Sequence, residues 1–291
     1  MKPAPFDYAR ADCADEACAL LQEVGSDARL LAGGQSLLPR LNLRIERPAV
    51  VIDLSRCADL QSLQWDDTGL HVGAMVTQAR LLAHVSQALG GDPVPLLGQA
   101  LPHVANPQVR ARGTVGGSLA FADPTAELPL CLVAMDGALL LRSERGTRRV
   151  GATEFFLGAG HTACRPDELL IASLWPRWHG AVGWAFDEVA MRPGGQATVT
   201  LAARATATEL CLAVGGLCDR PLCWRAAADA ATDPRELGAA LADWLRTLAV
   251  RDDGLVGARY RCHVVGHVGP QLLRQALSRR AAAPMGGKER T

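Results

Sequence analysis

The residues in this chain best suited to holding a ligand are glycines. Leu31-Ala32-Gly33-Gly34-Gln35-Ser36-Leu37 forms one stretch, and Gly113-Thr114-Val115-Gly116-Gly117-Ser118 a second, about 80 residues later. Backbone without a Cβ can approach a phosphate closely, and successive amides in a turn form an anion-binding concavity. Two such loops from different subdomains would suit a pyrophosphate, whose charge is divided between two groups. Neither stretch matches G-x-G-x-x-G or G-x-x-x-x-G-K-[ST], which disfavours the two common nucleotide-binding folds. Each also has a plain structural reading: a tight strand-to-helix turn for the first and a mobile surface loop for the second. Arg110 and Arg112 flank the second stretch and could add positive charge there or simply lie on the surface.

Other chemistry has less support. His263 and His267 stand four apart on a predicted helix, but without the Glu of H-E-x-x-H they read as a solvated face rather than a metal site. The nine cysteines, at 13, 18, 57, 131, 164, 211, 218, 223 and 262, contain no C-x-x-C pair. They read as buried, reduced thiols, not as a disulfide framework, a zinc site or a cluster-binding set. No G-x-S-x-G context supports hydrolysis. Lys+Arg and Asp+Glu are equal at 30 each, so charge gives no reason to expect nucleic acid or an anionic membrane surface. No apolar stretch approaches the ~20 residues of a membrane helix. The polar start MKPAPFDYARADCADEA lacks the apolar core of a signal peptide, so a cytoplasmic location is expected.

The 291 residues allow for about two domains. Periodicity predicts a helix over Asp15–Val24 ended by Gly25, then strands at Arg29–Leu31 and Ala49–Leu54, the latter apolar on both faces like a buried parallel strand. Leu60–Trp65 and Leu70–Val76 read as a hairpin turning at Gly69. Thr77 can cap a helix over 78–89, and a shorter helix covers 96–104. The Gly- and Arg-rich stretch 106–123 reads as loop. A helix over 125–135 and strands at 138–141 and 169–174 complete a first domain, 1–176, with subdomains of about 1–58 and 59–176. Three strands (184–192, 197–205, 209–214) and two helices (234–250, 258–279) then form a smaller α+β domain, 177–280, before a disordered tail at 281–291.

The flanks of the glycine stretches carry a family resemblance. Leu31 to Pro39, followed by Arg47-Pro48 and Ile52-Asp53-Leu54, resembles the first flavin motif of the carbon monoxide dehydrogenase medium subunit. Pro107 to Ala120, ending Ala122-Asp123-Pro124-Thr125-Ala126-Glu127-Leu128-Pro129, resembles the second. Similar residues recur at Phe155–Gly158, Pro166–Leu170, Phe186–Arg192, Gly215–Pro221 and Tyr260-Arg261, so the likeness covers about residues 3–280. It implies an α+β, two-subdomain FAD-binding fold of the PCMH type, shared with the xanthine dehydrogenase FAD domain and followed by the C-terminal domain of that flavoprotein type. It further implies that Ala32–Leu37 and Thr114–Ser118, with Leu31 leading in, wrap the FAD pyrophosphate and ribityl chain. Asp123 and Glu127 match acidic or polar positions on the flavin side, though Asp123 would equally serve as a helix cap. Leu170 and Phe186 match positions lining the isoalloxazine, where core packing explains them equally well. Phe121 stands where many relatives have His, and Gly269-Pro270 is expected to interrupt the last helix.

The resemblance implies a flavoprotein subunit of the molybdenum hydroxylase family. FAD would be noncovalent, since no His or Cys lies between Leu30 and Leu43. The molybdenum cofactor would sit on a large subunit and two [2Fe–2S] clusters on a small one, in a heterotrimer able to dimerise. Electrons would pass from those clusters to FAD and on to an external acceptor, with no catalytic residue on this chain. A self-contained flavin oxidase and a non-catalytic FAD carrier are the alternatives. Replacing Gly116 by Val is expected to abolish FAD retention while leaving most of the fold intact, because its loop reads as a surface connection.

Overall fold

The structure, a computed structural model of the chain, describes residues 2–87, 94–192, 194–228 and 234–282. The chain divides into two units that interleave along the sequence. The first comprises 1–84, 106–122 and 137–176, and the second 85–105, 123–136 and 177–291.

In the first unit β1 (Asp7–Arg10), β2 (Ala28–Leu31) and β3 (Val50–Asp53) form a parallel sheet of order β1-β3-β2. β3 is the centre strand, which is why its sequence is apolar on both faces; Val51 and Ile52 are fully buried. β1 escapes sequence reading because it is an exposed edge strand with the polar sequence DYAR. The helix Ala14–Val24 places Ala14, Ala17, Cys18 and Leu21 against Ile52 of the small sheet and against Leu54 and Leu169. Gly25 ends it at φ 68°, its N–H reaching the Leu21 carbonyl.

A five-stranded antiparallel sheet of order β4-β5-β10-β6-β7 follows, built from β4 (Leu63–Trp65), β5 (Gly69–Gly73), β6 (Ala138–Ser143), β7 (Gly146–Gly151) and β10 (Leu169–Pro176). The short ribbon β8 (Phe156–Gly158) and β9 (His161–Thr162) lies between β7 and β10 in sequence. The hairpin at Gly69 is present, though Ala58–Gln61 is a 3-10 turn rather than the start of its first strand. Thr77 caps the helix Gln78–Ser86 through its hydroxyl, which accepts from the Arg80 N–H at 3.2 Å. The last predicted residues of that helix, 88 and 89, lie outside the described residues.

The stretch 106–123 is not loop but two helices, Pro107–Arg112 and Val115–Phe121. Asn106 caps the first, its side chain accepting from the Val109 N–H at 3.0 Å ahead of Pro107. Thr114 caps the second by accepting from the Gly117 N–H at 3.0 Å. Side-chain caps and a first-turn proline outweigh the low helix propensity of the glycines.

In the second unit β11 (Gly183–Ala190), β12 (Ala197–Ala205), β13 (Glu209–Gly215) and β14 (Leu222–Ala227) form an antiparallel meander. All nine residues of β12 are buried, since both its faces are covered. Val199, Leu201 and Ala203 pack against the helices Pro234–Arg246 and Ala258–Ala282. The opposite face meets the helix Glu127–Ala134, apolar and buried at every position after Glu127. There Arg204, 1% exposed, donates to the Ala134 carbonyl and to Asp136 and Glu209, with its guanidinium 3.9 Å over the Trp178 ring. Gly269-Pro270 does not interrupt the last helix, which runs on through Ala282 with Pro270 inside it. Proline costs a helix one backbone hydrogen bond. Here the burial of Val264, Val265, Leu272, Leu273 and Ala276 holds the segment together across the gap. The cysteines depart from expectation at one point: the described residues contain a disulfide, Cys211–Cys223, across β13 and β14. Of the tail, residues 283–291 lie outside the described residues.

Candidate functional site

The first glycine stretch leaves the C-terminal end of β2, an edge strand whose Leu31 carbonyl accepts from the Leu54 N–H at 3.0 Å. Ligand crevices in parallel sheets lie at that end of the strands. The chain bends at Ala32–Gly34, turns through Gly34 at φ 73°, and enters a short helix, Leu37–Asn42, that the sequence did not announce. The Leu38 N–H closes the turn onto the Gly34 carbonyl at 3.1 Å, and the Gln35 side chain donates to the Gly33 carbonyl at 3.1 Å. None of the five consecutive amides from Gly33 to Leu37 donates to another described residue. A run of open N–H groups in one turn is a concave anion receptor.

The second stretch lies directly against the first. A Cβ on Gly33 would stand 2.2 Å from the Arg112 carbonyl oxygen and 2.9 Å from the Gly113 Cα, and one on Gly117 would sit 3.7 Å from the Ala32 Cβ. Only glycine at position 33 lets the two backbones meet. The second stretch uses its amides differently. Val115, Gly116, Gly117 and Ser118 donate to the Val76 carbonyl, the Ala74 carbonyl, the Thr114 hydroxyl and the Thr114 carbonyl, all at 2.9–3.1 Å. Its glycines therefore serve close packing, since a Cβ on Gly116 would fall 2.5 Å from the Ala74 Cβ and 2.7 Å from the Ala74 carbonyl oxygen. Gly116 is buried rather than on a surface connection, so Gly116→Val would damage the fold itself. The groups left free to face a ligand are the Ser118 hydroxyl and the Arg112 guanidinium, neither with a hydrogen bond or ion pair among the described residues.

Behind the first loop, Glu46 accepts from Arg29 Nε at 2.8 Å and from Arg40 Nε at 2.6 Å. Burial works to raise its carboxyl, and those two hydrogen bonds outweigh burial and hold it below the usual range. Arg40 also lies 5.8 Å from the Phe121 ring, a contact that a histidine at that position would change. Sequence reading missed Gln78, 5% exposed, whose Oε1 has no partner among the described residues and would lie 2.8 Å from a Cβ on Gly113. No spacing marks a buried glutamine in a helix's first turn.

The structure thus brings Leu31–Leu37 and Thr114–Ser118 together in the first unit. Leu170 belongs to that unit, buried on β10 opposite Leu141. Asp123, Glu127 and Phe186 belong to the second. The Asp123 carboxylate accepts from the Thr125 N–H and hydroxyl, both at 2.8 Å, and from Gln196 Nε2 at 3.1 Å. It closes a turn rather than capping the helix, whose cap position is Ala126. Phe186 is half-buried, its ring 5.2 Å from that of His103 and its N–H donating to Gln99 Oε1 at 3.2 Å. His263 and His267 stack 6.4 Å apart on an exposed helix face.

Comparison with known proteins agrees with this geometry. The profile of the family described as "FAD binding domain in molybdopterin dehydrogenase" matches residues 4–178. The carbon monoxide dehydrogenase medium chain of Afipia carboxidovorans is 32% identical over 97% of this chain and 99% of its own. The caffeine dehydrogenase subunit beta of Pseudomonas sp. is 40% identical, but over 67% of this chain; the match spans 65% of that relative's length. Among solved structures, a carbon monoxide dehydrogenase chain from Hydrogenophaga pseudoflava matches with a TM-score of 0.86 at 30% identity, over 96% of this chain and 99% of that one. A quinoline 2-oxidoreductase chain from Pseudomonas putida 86 matches with a TM-score of 0.85, also at 30% identity. Open amides after a parallel strand, a second glycine segment packed on them, and relatives along nearly the whole length lead to one assignment: the chain belongs to the FAD-binding domain family of the molybdopterin dehydrogenases.

Proposed function

We propose that this chain is the electron-relay subunit of a three-subunit molybdenum hydroxylase working in the cytoplasm. It would take electrons from [2Fe–2S] clusters on a small partner subunit, while a large partner holds the molybdenum cofactor and meets the substrate. The observation that carries the reading is the end-to-end likeness to a carbon monoxide dehydrogenase medium chain, through the C-terminal domain as well as the flavin motifs. A self-contained oxidase or a bare FAD carrier gives no reason for that last domain to be kept.

The residues present fit FAD, because the five open amides of Gly33–Leu37 offer the donors a pyrophosphate needs. FAD, when bound, supplies the redox chemistry, accepting electrons singly and releasing them in pairs. The chain's own part is binding, orientation and electrostatics. In this reading, residues 1–176 form the FAD domain. The amides of 33–37 hold the phosphates, Ser118 and Arg112 add a hydroxyl and a charge, and Gly33 keeps the two segments at contact distance. Asp123, Glu127, Leu170 and Phe186 would stand toward the flavin ring. The external acceptor would take electrons from the same flavin.

Size-exclusion chromatography of a native extract, with metal analysis of the flavin-containing peak, tests the proposal. Iron and molybdenum should co-elute with the flavin at a mass well above that of one chain. A flavin peak at the monomer mass, free of both metals and still oxidising a small molecule, would replace the relay with the oxidase.

A further inference from the structure

Beside the two glycine segments, and within the same unit, lies a carboxamide that no protein group engages. Gln78 stands in the first turn of the helix Gln78–Ser86, its N–H donating to the Gly113 carbonyl at 2.9 Å. Its side chain runs against the second segment: a Cβ on Gly113 would stand 2.8 Å from Gln78 Oε1 and 3.0 Å from the Val109 carbonyl oxygen. Gly113 is also a residue on which the first segment packs, since a Cβ on Gly33 would stand 2.9 Å from its Cα. Gly33 thus meets Gly113, and Gly113 meets Gln78. Two residues without side chains are all that separates the carboxamide from the turn of open amides.

Neither end of that carboxamide has a partner among the described residues. Oε1 is enclosed and accepts nothing, and Nε2 donates to nothing. An enclosed carbonyl oxygen without a donor costs stability, and so does fixing a long side chain that is only 5% exposed. Leucine has nearly the same volume and carries no such penalty, so packing gives no reason for glutamine here. A ligand does. A half turn about the last side-chain bond would put the N–H2 where Oε1 stands, beside the Val109 carbonyl, because both oxygens border the missing Cβ of Gly113. The carbonyl end would then point where Nε2 now points, so the group can present either a donor or an acceptor on that side. A neutral carboxamide with one end repelling anions is a poor phosphate ligand. It matches a hydroxyl, which also donates and accepts. In FAD the pyrophosphate is flanked by hydroxyl-bearing sugars on both sides, the ribityl chain and the ribose.

We propose that Gln78 is a sugar-binding residue of the flavin site, its carboxamide pairing with a ribityl or ribose hydroxyl next to the pyrophosphate. This rests on the reading that the amides of 33–37 hold the phosphates. It makes Gln78 a residue retained for the ligand at some expense to the stability of the empty chain.

The test uses the full chain freed of FAD, comparing Gln78→Leu with wild type in thermal melting and in equilibrium dialysis against FAD, FMN and ADP. Gln78→Leu should melt no lower than wild type and bind FAD about tenfold more weakly. The loss should recur with one smaller ligand only: with FMN if the partner is a ribityl hydroxyl, with ADP if it is a ribose hydroxyl. That one-sidedness decides the matter whatever the melting temperature, because damage to the fold would weaken both. Unchanged FAD affinity, or a loss falling on FMN and ADP alike or on neither, overturns the proposal. Ser36→Glu tests the phosphate reading separately, since all three ligands carry phosphate. If it leaves all three affinities unchanged while Gln78→Leu gives its one-sided loss, the turn is excluded and the sugar contact stands. If it weakens all three while Gln78→Leu weakens none, the turn stands and the sugar contact is excluded.

Discussion

At the scale of single residues, the open amides of 33–37 make the sharpest claim, because a negative charge placed among them competes with the phosphates they would hold. Ser36→Glu should weaken FAD binding about tenfold or more, the equivalent of a like-charge contact worth about 1.4 kcal/mol. Equilibrium dialysis against FAD is the measurement, and unchanged affinity would exclude this turn from the phosphate site. A second residue-scale prediction concerns Glu168, which accepts from Arg148 Nε at 2.7 Å and Nη2 at 2.8 Å. Those hydrogen bonds, only partly opposed by burial, hold its carboxyl below the usual carboxylate range. A depressed carboxyl contributes stability above its unfolded pKa and loses it as the pH falls through the folded one. Glu168→Gln should therefore destabilise the chain at neutral pH by about 2 kcal/mol, with the difference from wild type shrinking in acid. A deficit that is constant with pH would mean the charge is irrelevant. Which residues could be read from sequence follows from this contrast. Gly33 and Gly116 stand out by type, yet the reason each is glycine is a carbonyl or an alanine from a distant segment, which no local pattern encodes. Gln78 has no signal at all, since only its burial makes it unusual.

Secondary-structure elements were legible where periodicity or apolar runs were strong, and illegible where an element lies at an edge or depends on its caps. β3 and β12 announced themselves because both faces are buried. β1, β7 and β14 are sheet edges with mixed sequences, and each pairs with a strand on one side only. The glycine-rich 106–123 stretch concealed two helices whose start signals, Asn106-Pro107 and Thr114, were present but outweighed by composition. The uninterrupted final helix makes the converse point, that tertiary burial overrides a breaker. If burial of β12 between two helical layers is what secures the second unit, Leu201→Ala should cost about 2–5 kcal/mol. Chemical denaturation of the variant checks it. A loss under about 1 kcal/mol would show that the sheet collapses around the gap.

At the scale of the whole molecule, ligand choice follows from the pairing of the two glycine segments. FAD should bind one-to-one and FMN far more weakly, because FMN lacks the second phosphate; equal affinities would sever the amides of 33–37 from pyrophosphate recognition. The units' sequence ranges carry another consequence, for synthesis on the ribosome. The chain passes between the two units five times, at 84/85, 105/106, 122/123, 136/137 and 176/177. Leu128–Ala134, every residue buried, leaves the ribosome about 65 residues ahead of β12 and β13, the strands that cover it. At roughly 5–20 residues per second, that helix waits several seconds with its apolar surface bare. Nascent chains stalled near residue 176 should consequently bind chaperones and be cleaved readily by protease, and chains released with β12, β13 and the final helix in place should not. A 1–176 fragment that folds, stays soluble and resists protease would show instead that the interleaved segments can be satisfied without the strands they are buried against.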